Sequence, residues 1–427
     1  MSGDELTVDK IKSRRMLYLI LGTFSLLILG LIYAWSIFAA PIGKANPSYG
    51  PQLPLVFQVL MFAFCLSQLL GAQIIKRSSP KIAIIVAAVC MSGGFVLTAL
   101  LAGINFWMLI IFYSLFVGTG CGIGYNALIA MVNLWFPDRV GMSSGILMMG
   151  FGVATLVFGT VANALFESGI AWTVVFIMIA VLAFIVMLLA AFIIKPAPKD
   201  IAARLGIVKA SVGAKDSPTQ QQSILKSKTF WLYSLWSVLI IAGGLTLIGN
   251  SRQGAEILQL QVSISAGFPA LLVGLVSTMN GLGRIINGIL FDKVGLVPIM
   301  LVSAVIAFLC LTGISLAFIY KIGPLYIASA ILMALPYAAA PVLCASFARQ
   351  RFGSQNYATN LGIVSLAIAA AAVMNIIIQA FLGSPNGENA PIIYAVQAGL
   401  VVVAFLGALV FSKVYRNDLT AIAKEQE

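Results

Sequence analysis

The residues whose types and spacing could do chemistry cluster in one stretch, "LVSTMNGLGRIINGILFDKVG", residues 275–295. Asn280 and Asn287 flank Arg284 at four and three residues, and Ser277 precedes it by seven. On a helix all four share one face. A guanidinium is a planar fork that can donate two parallel hydrogen bonds to one carboxylate. Amides and a hydroxyl one or two turns away can orient what it holds. The chemistry on offer is recognition of a small organic anion.

Bond-making chemistry has little support. The chain contains no histidine, which removes the usual proton carrier near neutral pH and the commonest metal ligand. No nucleophile–base pair or metal set is visible, so an enzyme is excluded and no cofactor or metal is expected.

The surroundings of the stretch are apolar. Of 427 residues, 61% are hydrophobic and 9% charged, against about 25% charged in soluble domains. The composition predicts an all-α membrane protein, because the runs are too long for barrel strands of about ten alternating residues. Its first apolar run, from Met16, is longer than a signal-peptide core of about 7–15 residues and reads as a spanning helix. Cys65, Cys90, Cys121, Cys310 and Cys344 all fall inside predicted spans and are expected as thiols acting as small apolar residues.

Twelve spans are predicted, at about 16–42, 54–75, 82–102, 106–133, 143–166, 171–194, 229–250, 267–291, 297–319, 324–346, 357–382 and 391–413. Between the sixth and seventh lies a polar segment, with "DIAARLGIVKA" as a candidate short surface helix. The expected organisation is therefore a six-helix bundle over 1–194, a cytoplasmic linker over 195–228 and a second six-helix bundle over 229–427. The halves echo each other. Gly288, Asp292, Lys293 and Gly295 form G-x-x-x-D-K-x-G after the eighth span, and the matching first-half loop carries Gly71, Lys76, Arg77 and Lys81 without the acid. Two six-helix bundles related by an axis along the membrane normal are the parallel-repeat plan of the major facilitator fold.

With the N-terminus inside, all of the 25 Lys and Arg except Lys44, Arg252, Lys321 and Arg284 fall on the cytoplasmic side. The positive-inside rule thus predicts both termini in the cytoplasm. The net charge of +12 becomes a topology signal, and nucleic acid is not an expected partner. The chain is expected as a monomer in the cell membrane, with the lipid bilayer as its surroundings.

Arg284 precedes Asp292, at the cytoplasmic edge, by eight residues. That is roughly 12 Å along a helix, against a hydrocarbon half-thickness of about 15 Å. An arginine at such depth costs about 2.5–3.5 kcal/mol on insertion scales. All thirteen carboxylates of the sequence lie in loops, tails or span ends. Two readings compete. Arg284 either snorkels to the interface or caps backbone carbonyls, or it lines an aqueous cavity where a substrate is its counter-ion. The polar stripe around it favours the cavity, and Gly281, Gly283 and Gly288 permit close helix approach. Polar glue between helices would explain the asparagines but not the charge.

Further candidates lie elsewhere. In "VGTGCGIGYNALIAMVNLWFPDRVG", Gly118, Gly120, Gly122 and Gly124 alternate, which reads as close helix packing rather than a nucleotide loop. Tyr125 and Asn126 follow at mid-depth and could bind a ligand or each other. Of Tyr33 and Trp35, one is expected toward a cavity and the other toward lipid or a helix. Tyr337 sits between Pro336 and Pro341, where missing donors mark a bend. Gly288, Asp292 and Lys293, with Asp138 and Arg139 in "WFPDRVG", are the candidates for gating or conformational roles.

These strings together resemble the oxalate/formate antiporter family and the related monocarboxylate transporters of the major facilitator superfamily. The resemblance covers nearly the whole chain. It rests on "YAWSIFAAPI", "GCGIGYN", "NLWFPDRVGMSSG", Phe230–Trp231, "NGLGRIINGILFDKVG" and "RFGSQNYATNLG". It implies a carboxylate transporter working by alternating access, with Arg284 on the substrate carboxylate and Tyr33, Tyr125 and Tyr337 lining the cavity. Two positions depart from it. Ile368 stands where the oxalate exchangers carry a lysine. Asn280 stands where animal monocarboxylate transporters carry a proton-coupling aspartate.

One arginine balances one negative charge, and a dianion would leave a second uncompensated in a low dielectric. The expected substrate is therefore a small monocarboxylate of the lactate, pyruvate, acetate or formate type, with protons or a counter-transported anion as coupling partner. Oxalate/formate exchange is the alternative within the class, and a non-transporting carboxylate sensor the alternative outside it. A channel is disfavoured, since no ring of charges or filter sequence is present.

Overall fold

The computed structural model describes residues 8–198, 200–206, 224–262, 268–353, 356–383, 385 and 388–424. Among these residues, twelve long helices follow one another. The first, α1 (residues 8–45), runs as Val8–Leu29, tightens through a 3₁₀ stretch at Gly30–Ala34 and continues as Trp35–Ala45. Then come α2 (Leu53–Arg77), α3 (Pro80–Leu101), α4 (residues 106–133), α5 (residues 140–167) and α6 (Trp172–Ile193). After the central segment follow α7 (Lys228–Val262), α8 (Phe268–Val294), α9 (Leu296–Tyr320), α10 (Gly323–Phe352), α11 (Tyr357–Leu382) and α12 (Ala390–Lys424). No strand occurs among the described residues. In the central segment, Ile201–Arg204 forms one helical turn that stops at Leu205 and Gly206, and residues 207–210 of the expected surface helix lie outside the described residues. Beside that turn, hydrogen bonding to Arg204 holds the Asp200 carboxyl below its usual range.

Among the described residues, eleven of these helices contain a segment long and apolar enough to cross a membrane. The twelfth is α8, which carries Asn280, Arg284 and Asn287. Several helices outrun the predicted spans, most of all α1, α7 and α12. An apolar reading stops at the first charges, whereas a helix continues until its backbone is interrupted. The interruptions are visible. Ser79 caps α3 by accepting from the Ile82 amide at 3.3 Å, with Pro80 in the first turn. Gly295 adopts φ 79°, ψ −174°, a conformation open to glycine, and so separates α8 from α9.

The chain divides into two compact units. The first comprises Met1–Asp216 together with Arg349–Gly362, and the second Ser217–Ala348 with Ile363–Glu427. Helix α11 thus begins in the first unit and ends in the second. Inside the first unit α3 packs on α6, α2 on α4 and α1 on α5. Inside the second, α9 packs on α12, and α7 on α12 and α8. The third and sixth helices of each half therefore form the same pair, as expected of a repeat.

Apolar side chains stand outward as well as inward. Leu309 is 62% exposed and Phe381 84%. In water such a surface would be costly, but against lipid chains it is at home. The alternating glycines of α4 serve two neighbours. Gly118 lies against the Leu60 carbonyl and Gly122 against the Phe64 carbonyl, both on α2, whereas Gly120 lies against the Met91 backbone on α3. Residues four apart share one face, so the alternation serves α2 and α3 in turn.

Candidate functional site

Within the second unit, α8 separates its residues by face. Leu275, Leu282, Ile286 and Leu290 are exposed, and Asn280, Arg284 and Asn287 are buried. Ser277 is half-buried and Gly288 buried. Arg284 is 2% exposed, and among the described residues it is the one charged side chain that is buried. Its Nε donates to Asn280 Oδ1 at 3.4 Å. Asn287 Nδ2 donates to the Gly283 carbonyl at 2.7 Å and to the Leu335 carbonyl of α10 at 3.2 Å. The predicted stripe is thus brought together, and α10 is tied to it.

The close fit of α10 has a local cause. A Cβ at Gly283 would meet Ala338 Cβ at 3.0 Å, and Gly244 of α7 lies against the Tyr337 ring. Tyr337 is 3% exposed. Tyr233 donates its hydroxyl to the Ala340 carbonyl at 3.0 Å, within the turn bracketed by Pro336 and Pro341. Asp292 and Lys293 are exposed at the end of α8.

Within the first unit, Tyr33 and Tyr125 meet through Phe151 of α5. Their rings stand edge-on to it, with centroids 5.2 Å away in each case. Phe64 joins the group, 5.3 Å from Tyr125 and 5.7 Å from Phe151. Tyr33 is half-buried and Tyr125 buried. Trp35 turns the other way, onto Tyr113 at 4.9 Å, with its indole N–H on the Leu53 carbonyl at 3.2 Å. Neither Phe64 nor Phe151 stood out in the sequence, since a phenylalanine in an apolar run carries no mark.

Asn126 does not pair with Tyr125 through any described bond. Its Nδ2 donates to the Ala358 carbonyl at the start of α11, at 2.9 Å. One helical face further along, Asn133 Nδ2 donates to Ser144 Oγ at 2.7 Å and Tyr357 Oη at 2.9 Å, and its Oδ1 accepts from Ser143 Oγ at 2.7 Å. Asn133, Ser143, Ser144 and Tyr357 were not among the candidates. The signal that could have found them is the pair of strings "NLWFPDRVGMSSG" and "RFGSQNYATNLG", which meet here. Nearby, Asp138 accepts from Arg15 Nη2 at 2.8 and 3.0 Å, and Arg15 lies 4.3 Å over the Phe136 ring. Arg139 stays mostly exposed, 3.9 Å from the same carboxylate.

A third polar group lies in the second unit and was also missed. Gln397 donates to Thr246 Oγ1 at 2.6 Å and to Asn375 Oδ1 at 3.2 Å, and Asn375 donates to the Ala242 carbonyl at 2.9 Å. It ties α7, α11 and α12 together. No group of His, Cys, Asp and Glu that could hold a metal occurs among the described residues.

Comparison with known proteins places this arrangement. A family model described as "Major Facilitator Superfamily" matches residues 22–317. The "Uncharacterized MFS-type transporter YhjX" of Escherichia coli (strain K12) is 24% identical over 84% of this chain and 86% of that protein. The "Oxalate:formate antiporter" of Oxalobacter formigenes is 26% identical over 66% of this chain and 64% of its own length. Among solved structures, the proton:xylose symporter XylE bound to 6-bromo-6-deoxy-D-glucose superposes with a TM-score of 0.76. It is 14% identical and the match covers 92% of this chain and 95% of that one.

Proposed function

The chain belongs to the major facilitator superfamily and is a multi-pass membrane transporter, not an enzyme; on that premise we propose that it carries a small monocarboxylate of the lactate, pyruvate, acetate or formate type by alternating access, bound through Arg284. The observation that carries the reading is the burial of this one cation at 2% exposure in the middle of α8, on the polar face of a helix whose other face is apolar. A guanidinium matches a carboxylate in both charge and planar geometry. Asn280 orients the fork, Asn287 holds α10 beside it, and Ser277 lies two turns away on the same face. Tyr33, Tyr125 and Tyr337 supply hydroxyls to the solute path. One buried cation suits one negative charge, because a second carboxylate would enter a low dielectric uncompensated. The N- and C-termini are cytoplasmic on this reading, with protons or a counter-anion as coupling partner.

The relative that exchanges oxalate and formate favours a second reading, exchange of a dicarboxylate. Position 368 separates the two. It is half-buried on α11 and carries isoleucine. In Ile368→Lys a second cation would balance a dianion, so preference should shift toward oxalate. A folded variant with wild-type preference would mean that charge count does not set selectivity.

The direct test is counterflow in proteoliposomes loaded with lactate, pyruvate, acetate, formate or oxalate, at acidic and neutral pH. Saturable counterflow of a monocarboxylate is expected. Counterflow of oxalate alone would move the assignment to the exchanger, and absence of counterflow with every acid would remove the carboxylate reading.

A further inference from the structure

At one membrane edge of the first unit some cations are engaged and others are not. Arg15 is held by Asp138 and Arg204 by Asp200. Lys76 and Arg77 at the end of α2, Lys81 at the start of α3 and Lys195 just after α6 are exposed. No carboxylate among the described residues pairs with any of these four. The sequence offers none nearby, since residues 76–82 and 192–198 contain no Asp or Glu. The matching loop of the second half differs, because it sets Asp292 beside Lys293.

One contact ties the two segments together. Lys81 is the second residue of α3, Phe192 is the last but one of α6, and these helices pack on each other. The Lys81 ammonium lies 3.9 Å over the Phe192 ring. Arg77 stands four residues before Lys81, and Lys195 three after Phe192. Four residues of chain span at most about 14 Å, so the cations crowd one place. Like charges so placed repel unless an anion sits among them.

The ring beneath Lys81 is itself informative. Phe192 is 61% exposed, and Ile82 and Ile193 next to the pair are exposed as well. In a membrane-spanning chain such a surface meets lipid tails. A lysine at a membrane edge ordinarily extends toward water, whereas this one rests on a lipid-facing ring. A ring face attracts the ammonium without using up its three N–H donors. The surface thus offers a cationic cluster with an apolar step beside it. An amphiphile with an anionic head fits both parts, and a soluble anion fits only the first.

We propose that Lys81, with Lys76, Arg77 and Lys195, binds the headgroup phosphate of an anionic phospholipid whose acyl chain lies against Ile82, Phe192 and Ile193. Phe192 fixes the ammonium at the lipid edge, and the other three cations complete the neutralisation. A zwitterionic lipid brings its own cation and is the poorer match. The site concerns the bilayer and not the solute, so it stands or fails apart from the carboxylate reading.

Native mass spectrometry of the full-length protein, titrated in detergent with dioleoylphosphatidylglycerol or dioleoylphosphatidylcholine, reads the affinity for each lipid. The first phosphatidylglycerol should bind more tightly than the first phosphatidylcholine. Lys81→Gln should weaken that phosphatidylglycerol about fivefold, equivalent to about 1 kcal/mol. Phe192→Leu should weaken it about threefold, and Lys81→Arg should keep it. Lys195→Gln should act as Lys81→Gln does. Lys12→Gln, at an exposed position of the same unit, should leave it unchanged. Inorganic phosphate at equal concentration should not displace the lipid, since it gains nothing from the apolar surface. Wild-type affinity in both Lys81→Gln and Lys195→Gln would overturn the proposal. An equal loss in Lys12→Gln would also overturn it, leaving only the general attraction of a basic face. Equal binding of the two lipids, or displacement by inorganic phosphate, would do the same. So would failure of both lysine variants to fold, since exposed side chains that serve a lipid are not needed for folding.

Discussion

Helices α4 and α8 carry the same spacing of amides in different units. Asn126 and Asn133 stand seven apart on α4, and Asn280 and Asn287 seven apart on α8. Four residues after the first asparagine, α4 has Ala130 and α8 has Arg284. On α4 the amides bond to the start of α11 and to the serines of α5. On α8 one amide faces the guanidinium and the other reaches α10. Neutral amides in an apolar interior can be consumed by the fold, because each needs only a carbonyl or hydroxyl. A guanidinium brings a formal charge that no neutral partner cancels. The same spacing therefore serves assembly on α4 and, on our reading, ligand capture on α8.

The comparison breaks first at Arg284. Arg284→Ala should cost about 2–5 kcal/mol of carboxylate binding, about thirtyfold or more in affinity, and abolish counterflow while the protein remains monodisperse in detergent. Arg284→Lys should rescue little, because an ammonium lacks the fork. Wild-type uptake by the alanine variant would place the capture elsewhere.

Asn133→Ala tests the assembly role. It removes the amide that Ser143, Ser144 and Tyr357 share in the interior, and loss of a buried partner costs about 1–3 kcal/mol. A lowered unfolding temperature is expected, with substrate affinity kept in the folded fraction. A loss of affinity at unchanged stability would make α4 a binding helix like α8.

Asn280→Asp sharpens the comparison at α8. It sets a carboxylate where an amide now lies 3.4 Å from Arg284 Nε, so substrate competes with an internal anion. Affinity should fall about tenfold at neutral pH and recover in part on acidification as the aspartate takes a proton. An affinity independent of pH would separate Asn280 from the substrate.

The smallest effect is expected at Asp138→Asn. The pair with Arg15 is partly exposed, 11% for the arginine side chain and 29% for the carboxylate, and such pairs contribute about 0.2–1 kcal/mol. A small fall in unfolding temperature with near-normal transport is expected. Loss of transport at full stability would make the pair a moving contact.

The helices and their polar stripe were legible in the sequence because their signals are local. Apolar length, proline and glycine breaks and the three- and four-residue spacing around Arg284 act over one or two helical turns. The predicted spans fell short where α1, α7 and α12 continue past their apolar parts, since hydropathy sees side chains and a helix is ended by its backbone. The repeat pairing of α3 with α6 and α9 with α12, and the grouping of Arg349–Gly362 with the first unit, depend on residues far apart in the chain. So does the meeting of Tyr33 and Tyr125 on Phe151. Sequence alone determined which side chains carry charge or amides and how they are spaced along each helix. Only the tertiary structure decided which of those amides are already bonded, because a hydrogen bond between helices is set by register and close approach, not by local composition.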